Sequence, residues 1–352
     1  MNRRLTVPRT ASILADMQTL EADTIEAYLR DSDRLSGEER VRVERLSGGV
    51  SNRVFRIFRL NRPDEDFVVK QAQPRLETPD AWYCTVERIW REVAVLRACA
   101  SLALAEQTPR ILFEDRENYL FAMSAAPRDY STWKACLLAG EADRGIAAEC
   151  GRLMACIHGG TWNRADARRR FGDREIFETL RLDPYYRATA KARPEASTDF
   201  KRLIDSTSEH AQCLVHADFS PKNLLRFGRA IMLIDFETGH FGDPAFDVGF
   251  LLSHLVLKSF ERAEQQAEYL QLSTEFLSAY VKRMKPVAGR DAVEQIVARG
   301  IQHFAGCAWA RLDGTSKIDY LDDPARRETV RAVCRRVFAD RPRRFVDVLH
   351  DI

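Results

Sequence analysis

The sequence predicts an α+β protein with a small antiparallel sheet in its N-terminal part and a larger, mainly helical C-terminal part. Apolar residues alternate between residues 41 and 72, with turn residues between the runs, which is typical of antiparallel strands. Helical spacing of apolar residues dominates after Pro127. The 352 residues suffice for two or three domain-sized units. We therefore expect an N-terminal lobe, 1–126, and a C-terminal lobe, 127–352.

The N-terminal lobe is predicted to begin with a helix over residues 22–35. The runs VRVERL, NRVFRIFRL and DFVVK then predict a three-stranded meander whose first turn contains Gly48 and Gly49. Residues 85–100 have helical spacing, with Thr85 as a candidate N-cap. The segment TPRILFEDRENYLFAMS predicts two further strands joined by a turn.

The C-terminal lobe contains three long stretches with helical spacing, at residues 143–158, 261–282 and 291–312. Two short apolar strands, CLVH and AIMLI, flank the polar motif DFSPKN between the first two of these helices. A polar loop between two buried strands is a common position for catalytic groups.

Composition excludes several classes of function. The chain has 54 Lys and Arg against 52 Asp and Glu, a net charge of +2, so no basic field indicates nucleic acid or membrane binding. The eight cysteines form no CxxC pair and no zinc-type cluster. Without a signal peptide or a long apolar segment, we expect reduced cysteines and a cytoplasmic location.

Two features of the N-terminal lobe suit phosphate binding. Gly48 and Gly49 allow close approach of a phosphate, although a Gly-Gly hairpin turn is more often purely structural. Lys70 ends a strand and either reaches solvent or pairs with phosphate oxygens. Glu92 lies on the inward stripe of the next helix and is the preferred carboxylate to hold Lys70, with Glu87 as a less aligned alternative.

The C-terminal lobe supplies the candidate catalytic groups. Asp218 follows the strand CLVH and is a candidate to accept a proton from, or to orient, an attacking hydroxyl. Asn223 and Asp235 offer oxygen ligands of the kind that Mg²⁺ prefers. Each residue alone fits an ordinary turn. The order of glycine hairpin, strand lysine, helix glutamate, HxDxxxxN and a strand followed by Asp-Phe favours phosphoryl transfer.

These motifs resemble the aminoglycoside phosphotransferase and choline kinase group, which has a protein-kinase-like two-lobed fold, over about residues 45–255. The resemblance implies ATP and Mg²⁺ as cofactors, Asp218 as the catalytic aspartate, and Asn223 and Asp235 as metal ligands. It implies a supporting role for Asp247 beneath the catalytic loop. It assigns nucleotide contacts to Gly48, Gly49, Ser51, Asn52, Lys70 and Glu92, and to the hinge residues Met123, Ser124 and Ala125.

Parts of the chain are more similar to methylthioribose kinases. The segment from VVKQAQ to REVAVL and the segment LRLDPYYR carry this likeness. The chain departs from that family at Asn223, where serine is typical, and at Phe236, where proline is typical. Ala217 replaces a glycine that is usual in both groups, and a non-glycine residue there favours negative φ.

The sequence therefore predicts an ATP-dependent kinase that phosphorylates a hydroxyl of a sugar-like metabolite, with a methylthioribose-like acceptor favoured. Aminoglycosides or other antibiotics, choline or another amino alcohol, and nucleotide binding without turnover are the alternatives. A protein kinase is disfavoured, because only eleven residues separate Phe236 from Val248 and leave no activation segment. For each candidate acceptor-binding residue, ordinary surface or core packing is the favoured alternative. The candidates are Trp309, Arg311, Arg299, Tyr185, Arg187 and Asp313.

Overall fold

The computed structural model describes residues 17–46, 51–75, 84–102, 104, 106–350 and 352. Contacts divide the chain into a first unit, Met1–Ala100 with Pro109–Arg128, and a second unit, Ser101–Thr108 with Asp129–Ile352. The predicted boundary after residue 126 placed residues 101–108 in the N-terminal lobe, whereas they belong to the second unit. Gln107 explains this, because its carbonyl accepts from Leu233 N (2.8 Å) and its Nε2 donates to Glu149 Oε1 (2.6 Å).

The first unit is built on a five-stranded antiparallel sheet in the order β1-β2-β3-β5-β4. Its strands are β1 (Val41–Arg45), β2 (Asn52–Arg59), β3 (Phe67–Ala72), β4 (Ile111–Asp115) and β5 (Leu120–Ser124), and its helices are α1 (Ile25–Asp31) and α2 (Arg88–Ser101). The predicted antiparallel sheet is thus confirmed. Helix α1 is shorter than the predicted 22–35. Helix α2 begins at Arg88, later than predicted. Thr85 lies in the turn before it, and its Oγ1 accepts from Glu87 N (3.4 Å), which is the type of contact expected of an N-cap.

One face of this sheet packs with α1 into an apolar core. Alternate side chains of a strand point to the same face, so the alternating residues of β2 and β3 reach this core together. The buried residues are Leu20, Ile25, Tyr28, Leu29, Leu35, Phe55, Ile57, Phe67, Val69, Leu120 and Ala122.

The second unit is mainly helical. Its helices are α3 (Trp133–Leu138), α4 (Arg144–Gly160), α5 (Ala165–Phe171), α6 (Glu175–Phe177), a π-helix (Glu178–Arg187), α7 (Ala188–Ala192), α8 (Ser197–Glu209), α9 (Pro244–Glu261), α10 (Gln266–Ala288), α11 (Arg290–Asp313), α12 (Pro324–Asp340) and α13 (Val346–Leu349). Its strands are β6 (Ser131–Thr132), β7 (Cys213–Val215), β8 (Leu224–Phe227), β9 (Ala230–Leu233) and β10 (His240–Gly242). They form the sheets β6-β8-β9 and β10-β7.

Two glycines let helices of the second unit approach closely. A Cβ added at Gly151 in α4 would lie 2.3 Å from the carbonyl oxygen of Phe276 in α10. A Cβ at Gly249 in α9 would lie 2.5 Å from the carbonyl oxygen of Gly300 in α11. Because such distances are far below van der Waals contact, these positions require glycine.

Helix α9 is the centre of the second unit, with every residue from Pro244 to Phe260 buried. A helix that is buried all round belongs to the core of a large domain. Among the residues that the structure describes, no helix has both the length and the apolar character needed to cross a membrane.

Candidate active site

Lys70 and Glu92 form a buried ion pair in the first unit. Lys70 lies on the inner strand β3, opposite Val54 of β2 and Phe121 of β5. Its Nζ lies 2.6 Å from Glu92 Oε2, and the two side chains are 5% and 1% exposed. Glu87, the alternative partner, is exposed at the surface. The structure therefore brings Lys70 together with Glu92, as the sequence predicted.

We expect Glu92→Ala to destabilise the protein by about 3–5 kcal/mol, because it removes the carboxylate beside a buried ammonium group. The double variant Lys70→Met/Glu92→Leu should recover most of this loss, because neither charge remains in the apolar environment. Urea denaturation of the three proteins measures both effects. Equal destabilisation of the single and double variants would contradict an energetic coupling of the pair.

Of the predicted nucleotide-loop residues, Asn52 begins β2 and Ser51 directly precedes it. Gly48 and Gly49 lie outside the described residues. Ser51 and Asn52 are buried, and Asn52 Nδ2 donates to Ser51 Oγ (3.1 Å). The guanidinium of the buried Arg88 donates to the carbonyl of Ser51 and to Asn52 Oδ1. Arg88 thus fixes the backbone where the loop enters β2, a role that the sequence analysis missed.

The predicted hinge residues Met123, Ser124 and Ala125 end strand β5. Ser124 N donates to the carbonyl of Arg110 (2.9 Å), and Ala125 N donates to the carbonyl of Asp66 (3.2 Å). Both amides therefore already have partners inside the first unit. The assignment of an adenine contact to this segment stays a prediction.

In the second unit, the loop that carries Asp218 begins at the end of β7 and is held by Asp247. The Asp247 carboxylate accepts from His216 N and Ala217 N, each at 2.7 Å. It also lies 3.1 Å from His158 Nε2. Burial raises the pKa of Asp247, but the hydrogen bond and charge of His158 and the bonds from the loop outweigh it, so this pKa is lowered. An ionised Asp247 thus fixes the start of the loop.

Asp218 is buried, with 2% exposure, and its contacts fall on one carboxylate oxygen. Oδ2 lies 2.8 Å from Arg181 Nη2 and 3.0 Å from Lys222 Nζ, and it accepts from Asn223 Nδ2 (2.7 Å). Oδ1 receives no hydrogen bond from the described residues. A carboxylate held through one oxygen keeps the other available to a hydroxyl.

Arg181 is a site residue that the sequence analysis missed. Besides its contact with Asp218, its Nε donates to the carbonyl of Ala217 (2.7 Å). It belongs to the π-helix Glu178–Arg187, which contains Pro184. Proline lacks the N–H of a regular α-helix, and π-helical turns occur frequently at functional sites. The segment LRLDPYYR was singled out from the sequence, but nothing local indicates that its first arginine turns toward Asp218.

Asn223 and Asp235 lie at the same end of the β8–β9 hairpin. Leu224 pairs with Leu233, and Ile234 N then donates to the carbonyl of Asn223 (3.0 Å). Because its Nδ2 donates to Asp218, the remaining polar atom of the Asn223 side chain is Oδ1, a neutral oxygen ligand. The Asp235 carboxylate is a second hard oxygen donor, so the residue types at this end of the hairpin fit Mg²⁺, an ion that usually retains several waters. The assignment of both residues as metal ligands stays a prediction.

No role was predicted for His216 from the sequence, but its side chain connects the loop of Asp218 with the segment that carries Asp235. Its Nδ1 accepts from Asp218 N (3.1 Å), so its Nε2 carries the hydrogen that is donated to the carbonyl of Ile234 (3.1 Å). Burial lowers the pKa of His216, which favours this neutral form. His216 therefore ties the loop of Asp218 to the residue that precedes Asp235.

Two non-glycine residues of the site have left-handed backbone conformations. Ala217 has φ of 60° and Asp235 has φ of 70°. The expectation of negative φ at Ala217 is therefore wrong. The penalty is about 1–2 kcal/mol for a residue with a Cβ. The hydrogen bonds of Asp247 to Ala217 N and of Arg181 to Ala217 O offset it.

The candidate acceptor-binding residues Trp309 and Arg299 have structural contacts. Trp309 is buried and donates from Nε1 to Asp313 Oδ2 (2.9 Å). Arg299 makes two hydrogen bonds to Asp243, at 2.9 and 3.0 Å, and Asp243 caps helix α9. Both residues were predicted as acceptor-binding residues. The burial of Trp309 and the ion pair of Arg299 with Asp243 depend on contacts between distant segments, which the sequence does not show.

Arg311 differs from these two residues. Its Nη1 donates to Ser316 Oγ (2.6 Å) and to Tyr185 OH (3.3 Å). Its buried Nε has no hydrogen-bond partner among the described residues. Since buried polar groups are rarely left without a partner, this N–H remains available to donate to a water or a ligand.

Comparison with solved structures identifies the fold. An ethanolamine kinase from Plasmodium vivax superposes with a TM-score of 0.57 and 12% identity, over 96% of this chain and 98% of that one. A choline kinase from Cryptosporidium parvum gives a TM-score of 0.54 and 16% identity, over 91% and 97% of the two chains. The predicted protein-kinase-like fold is thus confirmed.

Comparison with other sequences identifies the family. A 4-hydroxytryptamine kinase from Psilocybe cyanescens is 24% identical over 272 residues, which cover 69% of this chain and 74% of that one. A methylthioribose kinase from Escherichia coli O45:K1 is 25% identical over 291 residues, which cover 72% and 67% of the two chains. The profile of the phosphotransferase enzyme family matches residues 42–287. The chain therefore belongs to the phosphotransferase enzyme family and is a small-molecule kinase.

Proposed function

We propose that this kinase transfers the γ-phosphoryl group of ATP to a hydroxyl of a sugar-like small molecule. The observation that carries the proposal is the buried Asp218 carboxylate, whose Oδ1 has no donor among the described residues while Oδ2 is fixed by Arg181, Lys222 and Asn223. A carboxylate in this state is positioned to accept the hydrogen of an acceptor hydroxyl.

In the proposed reaction, Asp218 Oδ1 orients the acceptor hydroxyl and takes its proton. The acceptor oxygen forms a bond to the γ-phosphorus while the bond to the β,γ-bridging oxygen breaks, and ADP leaves with that electron pair. Lys70, held by Glu92, would pair with phosphate oxygens. Asn223 and Asp235 would hold Mg²⁺, which neutralises phosphate charge when it is bound.

Among sugar-like acceptors, methylthioribose is the first candidate. The likeness of LRLDPYYR to methylthioribose kinases and the 25% identical bacterial relative support it. Aminoglycosides and amino alcohols such as choline are the alternative. They carry positive charge, and the charged side chains in contact with the Asp218 carboxylate are the cations Arg181 and Lys222. The acidic side chains of Asp235 and Glu237 also act on Arg181. Local charge therefore does not select between the two classes of acceptor, and the likeness to methylthioribose kinases carries the preference.

The test is ADP release from purified protein with ATP, Mg²⁺ and single acceptors. The panel contains methylthioribose, ribose, choline, ethanolamine and kanamycin, and Asp218→Asn is the inactive control. We expect release that depends on a sugar-like acceptor. Release with an amine acceptor only would overturn the sugar assignment. ADP binding without release for any acceptor would instead favour a nucleotide-binding protein without turnover.

A further inference from the structure

A group of cations lies in the second unit, away from the ion pairs described above. We call it the basic cluster, and it consists of Lys258 of α9, Arg311 of α11 and Lys134 of α3. Tyr320 lies between the two lysines, with its ring centroid 4.9 Å from Lys258 Nζ and 5.9 Å from Lys134 Nζ. None of these residues takes part in the proposed phosphoryl transfer.

Lys258 is the least expected member of the basic cluster, because lysine is rarely buried without a partner and this residue is only 1% exposed. In the described part of the chain no carboxylate lies within 4.0 Å of its Nζ. Its hydrogen bonds, to the carbonyl of His254 (3.4 Å) and to Tyr320 OH (3.5 Å), are long. Burial, together with the charges of Arg311 and Lys134, lowers the pKa of Lys258 to about 7. Asp319 opposes this effect, but its carboxylate is exposed and lies 3.6 Å from Lys134 Nζ. A buried ammonium group with no carboxylate in contact is costly, so the site favours an anion.

The basic cluster is connected to Asp218 through a row of aromatic side chains. The Arg181 guanidinium, which contacts Asp218, lies 6.0 Å from the ring of Phe250. The Phe250 ring lies 5.5 Å from that of Tyr185, whose hydroxyl accepts from Arg311. Phe250 and Lys258 lie two turns apart on the same face of α9. Arg311 therefore follows Arg181, Phe250 and Tyr185 in a chain of contacts that begins at Asp218.

We propose that the acceptor substrate carries an anionic group, such as a carboxylate or phosphate, which Lys258 and Arg311 bind while its hydroxyl lies at Asp218. This inference rests on the proposed function, because it gives the charge class of the acceptor for that same site. It favours an anionic sugar derivative over methylthioribose, which is neutral. The anionic group does not react. Its binding holds the acceptor hydroxyl in one orientation at Asp218, which lowers the entropic cost of reaching the reactive geometry.

The first experiment compares acceptors that share a carbon skeleton and differ in charge, using wild-type enzyme, ATP and Mg²⁺. The pairs are D-glycerate with glycerol, D-gluconate with D-glucitol, and ribose 5-phosphate with ribose. We expect the anionic member of at least one pair to have a KM at least about tenfold lower, as charge-assisted hydrogen bonds are the stronger ones. Use of neutral acceptors, methylthioribose included, in preference to every anionic one would overturn the inference and leave the proposed function intact.

The second experiment repeats this comparison with Lys258→Met, which keeps the side-chain length and removes the charge. Lys201→Met is the matched control, because Lys201 is an exposed lysine paired with Asp205 on α8. We expect the preference for the anionic acceptor to vanish in Lys258→Met and to persist in Lys201→Met. An unchanged preference in Lys258→Met would overturn the inference. So would a weakened ADP affinity in this variant, because the cluster would then bind nucleotide phosphate.

A third measurement does not depend on turnover. Sodium sulfate, as the anionic probe, is titrated into the nucleotide-free proteins at an ionic strength matched with sodium chloride. We expect sulfate to raise the Tm of the wild type and of Lys201→Met, and to raise that of Lys258→Met by less than half as much. Equal shifts in all three would contradict an anion site. If no acceptor supports ADP release, the proposed function fails, and this titration still decides whether the basic cluster binds an anion.

Discussion

Asp218→Asn is expected to lower kcat by about 10²–10⁴-fold, because the variant cannot accept a proton from the acceptor hydroxyl. Asparagine keeps the size of the side chain and can still bond Arg181 and Asn223. We therefore expect the affinity for ADP to change by less than about threefold, corresponding to under 1 kcal/mol. Steady-state kinetics and an ADP titration measure the two quantities.

The control for this variant is Asp166→Asn, which alters an exposed carboxylate paired with Arg164 at the surface. It should keep wild-type kcat and Tm. A general loss of structure in Asp218→Asn would lower the Tm and the ADP affinity together, which separates misfolding from lost chemistry. Near-normal kcat in Asp218→Asn would remove this residue from the reaction.

Asp247→Ala should be the most destabilising single substitution near the site. It leaves the buried N–H groups of His216 and Ala217 without their acceptor, and it removes the partner of His158. The expected loss is about 3–5 kcal/mol in the free energy of unfolding, measured by urea denaturation. Because the loop of Asp218 begins at these amides, kcat should also fall by about 10²-fold.

The contribution of Asp247 should depend on pH in a defined direction. Its pKa in the folded state lies below the ordinary value of 3.8, so its stabilising effect is present above about pH 4. The effect is lost as the pH falls through the folded-state pKa. The stability difference between wild type and Asp247→Asn should therefore shrink between pH 5 and pH 3. A difference that stays constant over this interval would contradict an ionised Asp247.

The fold and the order of the candidate site residues could be predicted because their signals are local. The alternation in β2 and β3 follows from a two-residue period. The spacing of Asp218 and Asn223 is set inside one loop. The extents of α1 and α2 were less accurate, since helix ends depend on which turns find packing partners.

Contacts between residues that are far apart in the sequence could not be predicted in this way. Arg181 reaches Asp218 from a π-helix more than thirty residues earlier, and no pattern near Arg181 indicates this contact. Arg299 was predicted as a candidate acceptor-binding residue, but it pairs with Asp243 at the start of α9. An isolated charge in a sequence does not show whether its partner is a ligand or another side chain.

The sequence by itself determined the reaction class of this protein, because phosphoryl transfer needs a small set of residue types in a fixed order. The tertiary structure alone decided how those residues are held and what surrounds them. It placed Asp247 beneath the catalytic loop. It also placed Lys258 in the interior, where none of the described residues has a carboxylate within 4.0 Å of its Nζ. Burial and charge pairing arise from contacts between distant segments, and these contacts exist only after the chain has folded.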